Sequence, residues 1–374
     1  MRRIAIQLIS TGGFYGAERT LVELAAYLAE QGWESHVIAL EGRGAGELVR
    51  RASDCGVSAM AYTEGGRLGM RALLAKLRAT LEHSPRAIVH SHGYKPDILL
   101  AALGAPRRLG CVATCHTWYS DTLKMKLVER LDKRVLRRFD HVVAVSEEIC
   151  TDLLNSGVSP AVVSRIDNGI SLPPSDPAAR ESIRSEFGVA PEERLVVQIG
   201  RLARSKRNDL LLEAVSRLTG SVPIRVLLVG EGDQKGWLGE KAQSLGIAER
   251  VTFCGYRADV HRILAAADLL ALTSDKEGLP IVILEAMAAG CPIVSTAVGG
   301  LPMVLRHNEN AGLVPPDDVK QLTCVLREAL LDPQMVKIRA KRAQADFVTR
   351  FSRDAMGKQY LYVYERTWHA RGWV

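Results

Sequence analysis

Two carboxylates, Glu277 and Glu285, stand with seven residues between them in Glu277-Gly278-Leu279-Pro280-Ile281-Val282-Ile283-Leu284-Glu285, at a junction where strand gives way to helix. The apolar run from Asp268 to Leu272 reads as a buried strand, and Ile281 to Ala289 as a helix stopped by Gly290 and Pro292. Proline suits a first helical position because the amide it lacks would be unpaired there. The open amides of such a turn attract an anion such as phosphate. With the helix starting near Pro280, Glu285 falls about 7.5 Å further along the axis, so the carboxylates can hold different parts of one elongated ligand. Taken alone, the pair reads as a capping Glu plus a solvated helix Glu.

The neighbours favour the ligand. Gly200-Arg201-Leu202-Ala203-Arg204-Ser205-Lys206 follows the apolar run Leu195–Ile199, and Val298-Gly299-Gly300-Leu301-Pro302 follows Ile293–Ser295. Ligands of parallel α/β sheets bind outside the carboxyl ends of the strands, where such loops converge. Arg201 offers a bidentate fork and Lys206 a point charge to a diphosphate.

This order of motifs resembles the donor domain of family 4 retaining glycosyltransferases of the GT-B fold. The match continues through Val229-Gly230-Glu231-Gly232, Phe253-Cys254-Gly255, Asp259, Glu285-Ala286-Met287-Ala288-Ala289-Gly290-Cys291-Pro292 and Gly299-Gly300-Leu301-Pro302. The resemblance implies an α/β chain of two Rossmann-like domains facing a central crevice, with a C-terminal helix crossing back to the first domain. It implies that Arg201, Lys206, Gly278, Leu279 and Gly16 meet the donor diphosphate. Glu285 takes the ribose hydroxyls, Glu277 lies by the transferred sugar, and the backbone around Gly255, Tyr256 and Arg257 meets the base. Met303 stands where the family often has Glu, and Ser171 where it usually has Asp.

The elements that must position these residues are legible as two series. Ile4–Leu8, Ser35–Leu40, Ile88–His90, Cys111–Cys115 and His141–Val145 read as short buried strands, alternating with helical patterns such as Ala17–Gln31 and Met70–Glu82. The second series runs through Leu195, Arg225–Val229, Arg250–Phe253, Asp268–Leu272 and Pro292–Ser295. The turn-rich stretch Asn168–Pro177 reads as the linker. The boundaries expected are a first domain over 1–172, a donor domain over 173–350, and a final helix over 351–374 carrying Tyr360, Tyr362, Tyr364 and Trp368.

In the first series, Ser10-Thr11-Gly12-Gly13-Phe14-Tyr15-Gly16 joins strand to helix, and its glycines let backbone approach a ligand closely. It is not the G-x-G-x-x-G of dinucleotide enzymes, and Gly230-Glu231-Gly232 also lacks the third glycine. By the resemblance, Gly12 and Gly13 face the acceptor side. His116, after the Cys111–Cys115 strand, matches a histidine that many family members place beside the transferred sugar. His92 and Tyr94, at the end of another strand, are expected to line the acceptor side.

The chain has 374 residues, 47% hydrophobic and 24% charged, with a net charge of +7. That length allows two separate cores, and the composition is that of a globular protein. The charge favours phosphates or lipid head groups. The most basic stretch, Asp121–Asp140, sets Lys126, Arg130 and Arg134 at helical spacing beside Leu123, Leu127, Leu131 and Val135. Such a helix lies on anionic lipid or packs its apolar stripe on its own sheet. Nucleic acid is disfavoured, since no aromatic-interleaved basic platform accompanies the charge. Seven scattered cysteines show no zinc-site spacing, even with Cys111, Cys115 and His116 close together, and fit a reducing compartment. No apolar run of 18 residues occurs, so a cytoplasmic protein is expected, peripheral to the membrane if the basic helix binds lipid.

The resulting expectation is a metal-independent retaining transferase, with no Asp-x-Asp in the sequence. It would move a sugar from a nucleoside diphosphate, uridine before guanosine, to a hydroxyl of a glycan or lipid-linked saccharide, with no further cofactor. A non-catalytic nucleotide-sugar-binding subunit would keep Arg201 and Glu285 without needing His116, Lys206 and Glu277 together. An oxidoreductase lacks its glycine fingerprint.

Overall fold

The computed structural model describes residues 2–14, 16–40, 44–62, 66–116, 122–172, 174 and 176–373. Tyr15, Asp121, Pro173 and Ser175 of the stretches quoted above lie outside them. The chain forms two compact units, Met1–Ser171 together with Arg350–Val374, and Leu172–Thr349.

The first unit is built on a seven-stranded parallel sheet. Its strands are β1 (Ile4–Ser10), β2 (Glu34–Leu40), β3 (Ser58–Tyr62), β4 (Ala87–His92), β5 (Gly110–Cys115), β6 (His141–Ala144) and β7 (Val163–Arg165), in the order β3-β2-β1-β4-β5-β6-β7. Side chains alternate across a strand, so Ala5, Ile88, Val112 and Val143 share one face. The helix Arg353–Ala370 covers that face with Met356, Tyr360, Val363, Tyr364 and Trp368. Ile6, Leu8, Val89, Ala113 and Val142 point the other way, against Leu100, Leu136 and Phe139. Tyr360, Tyr364 and Trp368 are buried, while Tyr362 stays 62% exposed on the outer side of the helix.

The second unit carries a six-stranded parallel sheet of β8 (Arg194–Ile199), β9 (Ile224–Val229), β10 (Val251–Gly255), β11 (Leu269–Leu272), β12 (Ile293–Thr296) and β13 (Gly312–Val314), ordered β10-β9-β8-β11-β12-β13. Strand order reverses between β8 and β11, and the ladder register places Leu269 and Leu270 beside Val196 and Val197. The Gly200–Lys206 and Ser274–Pro280 loops therefore leave neighbouring strand ends, the place where open parallel sheets bind ligands. The fold is the expected α/β one, with two Rossmann-like units and a C-terminal helix.

Three strands, β3, β7 and β13, were absent from the sequence reading. β3 and β7 hold no fully buried residue, and β13 has three residues, so none leaves a strong apolar run. At the linker, Ser171 donates from its amide to Glu23 at 3.2 Å and from its hydroxyl at 2.5 Å.

Candidate active site

In the second unit the site is a clamp around Lys206. Gln198, buried at the end of β8, donates from Nε2 to the Lys206 carbonyl and to Thr273 Oγ1, both at 3.1 Å. The Thr273 hydroxyl lies 2.7 Å from the Arg207 carbonyl, and the Asp275 amide donates to the Ser205 carbonyl at 3.0 Å. The turn is thus bonded to both adjacent strand ends, and the Lys206 ammonium reaches Glu277 Oε1 at 2.5 Å. Ser274 donates to the same oxygen at 2.5 Å. Lys206 keeps 20% of its side-chain surface exposed and Glu277 only 8%, which makes this a shielded ion pair with one open edge. Arg201 is exposed on the same loop.

The Glu277 loop has backbone packed on backbone. The Gly300 amide donates to the Gly278 carbonyl at 3.1 Å, and a side chain at Gly299 would collide with the Glu277 carbonyl. That approach explains the glycine pair in Val298–Pro302 better than flexibility does. Pro280 is one position earlier than the sequence suggested. It precedes the helix Ile281–Ala289 with extended ψ of 134°, because proline restricts backbone rather than simply starting a turn. The Ile281 and Val282 amides then begin the helix beside Gly278 and Leu279. Glu285 lies half-buried within that helix, and Gly290, at φ 65°, closes it.

Gly255 is at φ 66° at the end of β10 and accepts from the Gly230 amide at 2.8 Å. Tyr256 projects, 74% exposed. The Arg257 guanidinium is gripped by Asp259 (2.8 Å) and Glu186 (2.5 and 3.1 Å), 5.5 Å above the Phe187 ring. These bonds raise its pKa further and hold the Asp259 carboxyl below its usual range. Its side chain is therefore occupied structurally, which leaves backbone as what this turn can offer a ligand. Met303 is half-exposed. A cavity of about 710 Å³ opens nearby, lined by Arg204, Asn208, Trp237 and Asp275 among others. It contains none of the residues read from the sequence as donor-binding. The clamped charges are the better guide to anion chemistry, since volume alone attracts no phosphate.

In the first unit, Gly12 and Gly13 follow β1, where Thr11 Oγ1 accepts from the Gly13 amide at 3.2 Å, and Gly16 opens the helix Gly16–Glu30. His116 directly follows β5. His92 ends β4, 4% exposed and turned to His116 and Gln7. Tyr94, first in its helix, remains 39% exposed. Desolvation lowers the pKa of His116 to about 4 and that of His90 to about 3, and holds His92 well below the ordinary value. All three rings are neutral at pH 7. Gln7, His90, Thr114 and Tyr364, which bond with these histidines, were not identified from sequence. Period-two counting from Ala5, Ile88 and Val112 would have put the three strand residues on one face.

The basic stretch forms the helix Leu123–Leu136, capped by Thr122, whose hydroxyl accepts from the Met125 amide at 3.2 Å. Val135 and Leu136 are buried, but Leu123, Leu127 and Leu131 are 81%, 64% and 47% exposed beside exposed Lys126, Arg130 and Arg134. Among the described residues no helix is long and apolar enough to cross a membrane.

Comparison with known proteins agrees with this architecture. Residues 14–172 match the description Glycosyltransferase Family 4, and residues 179–346 match Glycosyl transferases group 1. The D-inositol 3-phosphate glycosyltransferase of Mycolicibacterium smegmatis is 31% identical over 74% of this chain and 67% of its own. The chain spans just over half, 56%, of the Mycobacterium marinum protein of the same name. The lipopolysaccharide core biosynthesis glycosyltransferase LpsE of Rhizobium meliloti is 28% identical over 92% of this chain and 94% of its own. Among solved structures, HepE of Anabaena in complex with UDP superposes with a TM-score of 0.85, at 24% identity, over 98% of this chain and 100% of its own. The chain belongs to glycosyltransferase family 4, with the GT-B fold.

Proposed function

We propose that this protein is a retaining, metal-independent glycosyltransferase that moves a sugar from a nucleoside diphosphate, UDP first, to a hydroxyl of a glycan or lipid-linked saccharide of cell-surface type. The observation that carries this reading is Lys206, held at 2.5 Å from Glu277, on the loop after β8 that also carries the exposed Arg201, beside the neighbouring β11 end from which the helix Ile281–Ala289 follows. As the sugar departs, charge builds on the diphosphate. Preorganised donors aimed at that charge lower the barrier without rearranging. Arg201, Lys206 and the amides near Gly278 and Leu279 take this part, with Gly16 assigned to the same diphosphate. Glu285 takes the ribose, and backbone at Gly255, Tyr256 and Arg257 the base.

Glu277 and His116 are assigned to the transferred sugar. The acceptor oxygen attacks the face from which the diphosphate leaves, through an oxocarbenium-like state. Gly12, Gly13 and Tyr94 are assigned to the acceptor side, and His92 acts from behind His116. The UDP preference draws on HepE, whose solved forms include complexes with UDP and with UDP-glucose. The acceptor class draws on LpsE.

A panel of UDP- and GDP-sugars with and without excess chelator tests the proposal. Expected are transfer or slow hydrolysis of at least one donor and full activity in chelator. Binding without any turnover would identify a nucleotide-sugar-binding subunit. Loss in chelator restored by manganese would sink the metal-independent assignment.

The three exposed leucines between cations favour a second element, adsorption of Leu123–Leu136 to an anionic membrane. Each cation near such a surface contributes about 1 kcal/mol. Replacing Lys126, Arg130 and Arg134 with Gln should lower vesicle partitioning by roughly two orders of magnitude and leave nucleotide affinity unchanged. A wild type that ignores anionic vesicles at low salt removes the membrane from the reading.

A further inference from the structure

His90, His92 and His116 stand on the sheet face covered by the C-terminal helix, in one continuous line of hydrogen bonds. His116 Nε2 lies 3.3 Å from His92 Nδ1, and His92 Nε2 lies 2.9 Å from Gln7 Oε1. Gln7 Nε2 donates to the Tyr364 hydroxyl at 2.7 Å, and that hydroxyl lies 2.8 Å from His90 Nδ1. His90 Nε2 is 2.7 Å from Thr114 Oγ1, which is 2.9 Å from the Tyr360 hydroxyl. The register makes this possible, since Gln7 pairs with His90 across β1 and β4, and His92 with Thr114 across β4 and β5.

Burial keeps all three rings neutral, and a neutral imidazole has one N–H and one lone pair. The line therefore has a direction, which the Gln7 amide sets because its oxygen only accepts and its nitrogen only donates. With the oxygen toward His92, the His92 proton sits on Nε2, so Nδ1 accepts and His116 donates from its own Nε2. With the nitrogen toward Tyr364, the tyrosine gives its proton to His90 Nδ1, and His90 passes Nε2–H to Thr114. Turning this one amide over would move the proton to Nδ1 on all three rings.

We infer that His92 and Gln7 are positioning residues that hold His116 as its Nε2–H tautomer, with Tyr364, on the C-terminal helix, accepting from the Gln7 amide nitrogen and handing the same direction on to His90. The inference rests on the assignment of His116 to the transferred sugar. In this tautomer Nδ1 carries the lone pair that accepts from a substrate hydroxyl; in the other it would present an N–H instead. A buried polar line thus makes a helix from the far end of the chain part of the chemistry at β5.

The test is a long-range proton–nitrogen spectrum of the full chain with imidazole-labelled histidine, without ligand, at pH 7.5. His90, His92 and His116 should all carry the proton on Nε2, and Tyr364→Phe should convert His116 to a mixture. If that variant does not fold, His92→Gln, which keeps an amide near Gln7 and withdraws from His116, should give the same mixture. With UDP-glucose as donor probe, the folded variant should lose about tenfold in kcat, below the roughly hundredfold or larger effect of a complete acid–base group, with KM within about twofold. A wild-type His116 protonated on Nδ1, or a pure Nε2–H form in the variant with unchanged kcat, would overturn the inference. A wild type that turns over no donor while its spectrum is as expected strikes the functional assignment instead and leaves the tautomer control standing.

Discussion

The two sheets have the same parallel architecture but differ in the polar groups gathered around their candidate site residues. In the first unit the groups are neutral and deeply buried: Gln7, His90, His92 and Thr114 are at most 4% exposed and satisfied by directed hydrogen bonds. In the second, buried neutral groups such as Gln198 and Thr273 stand beside close ion pairs. Lys206 meets Glu277, Arg257 meets Glu186 and Asp259, and Arg180 and Arg184 meet Asp268, each with some access to water. A desolvated charge is costly unless paired, so a fully buried strand end must be neutral, while a half-open one can retain ions. The division suits the proposed roles. A leaving diphosphate calls for fixed positive charge, whereas a sugar hydroxyl calls for a lone pair aimed one way.

The sharpest way to break this comparison is to remove, one at a time, the two cations of the Gly200–Lys206 loop assigned to the diphosphate. Lys206→Ala should lower turnover by roughly a hundredfold or more and stability by about 2 kcal/mol, less than the roughly 3–5 kcal/mol of a fully buried pair because one edge is wet. Arg201→Ala should lower turnover comparably with almost no change in Tm, since Arg201 is exposed. Equal stability losses, or wild-type rates, would mean that the pair is merely structural.

The neutral side should reveal itself through pH. His90, His92 and His116 have folded pKa values below the ordinary one, His90 about 3 and His116 about 4. As pH falls below about 6.5 the unfolded chain takes up protons that the folded chain refuses. Stability should then drop by about 1.4 kcal/mol per pH unit for each ring that stays neutral. Thermal melts from pH 7.5 to 5 should show Tm falling by roughly 2 to 4 °C for each kcal/mol, whereas a flat profile would mean that the rings charge freely in the fold. Within the same network, Tyr364→Phe leaves Gln7 Nε2 and His90 Nδ1 without their shared partner, at an expected cost of about 1–3 kcal/mol by denaturant titration. A neutral result would show that the line is not maintained.

The smallest effect concerns a buried carboxyl pair in the first unit. Asp97 and Asp132, at most 1% exposed, hydrogen-bond each other, and Ser91 donates to Asp97. Burial first, and then the neighbouring carboxyl, raise the Asp97 pKa well above normal. Stability held below the ordinary carboxyl value is lost as pH rises toward this higher one, the reverse of the histidines. Asp97→Asn supplies a permanent N–H where a proton must otherwise be kept, so it should raise Tm by a few degrees at pH 8, roughly 2 to 4 °C per kcal/mol gained, and by less at pH 5. A drop at pH 8 would mean that the carboxylate form is needed.

Much of the charged side was legible because its parts are local in sequence. Gly200–Lys206, Glu277–Glu285 and Val298–Pro302 each announce a loop after an apolar run, and their alignment follows from parallel strands. The neutral side was legible only in fragments. His116 and His92 were noticed as strand-end histidines, but their connection requires the β1–β4–β5 register and a helix some 270 residues away from His90, Tyr364 being 274 positions on. Gln7 carries no signal of its own inside the apolar strand Ile4–Leu8, yet it is the pivot of the line. The outward leucines at 123, 127 and 131 were seen as a stripe; which way it faced depended on how much of the sheet Val135 and Leu136 already cover.

The first unit is discontinuous, its chain leaving at Ser171 and returning at Arg350. During synthesis the Ala5–Ile88–Val112 face has no Met356, Tyr360, Tyr364 or Trp368 to cover it until all of Leu172–Thr349 has been made. At about 5–20 residues per second this lasts roughly ten to forty seconds. The nascent protein must carry a half-built sheet, with its histidines still wet, through that interval. Premature release would therefore leave a chain whose second unit can close but whose histidine line lacks its tyrosine.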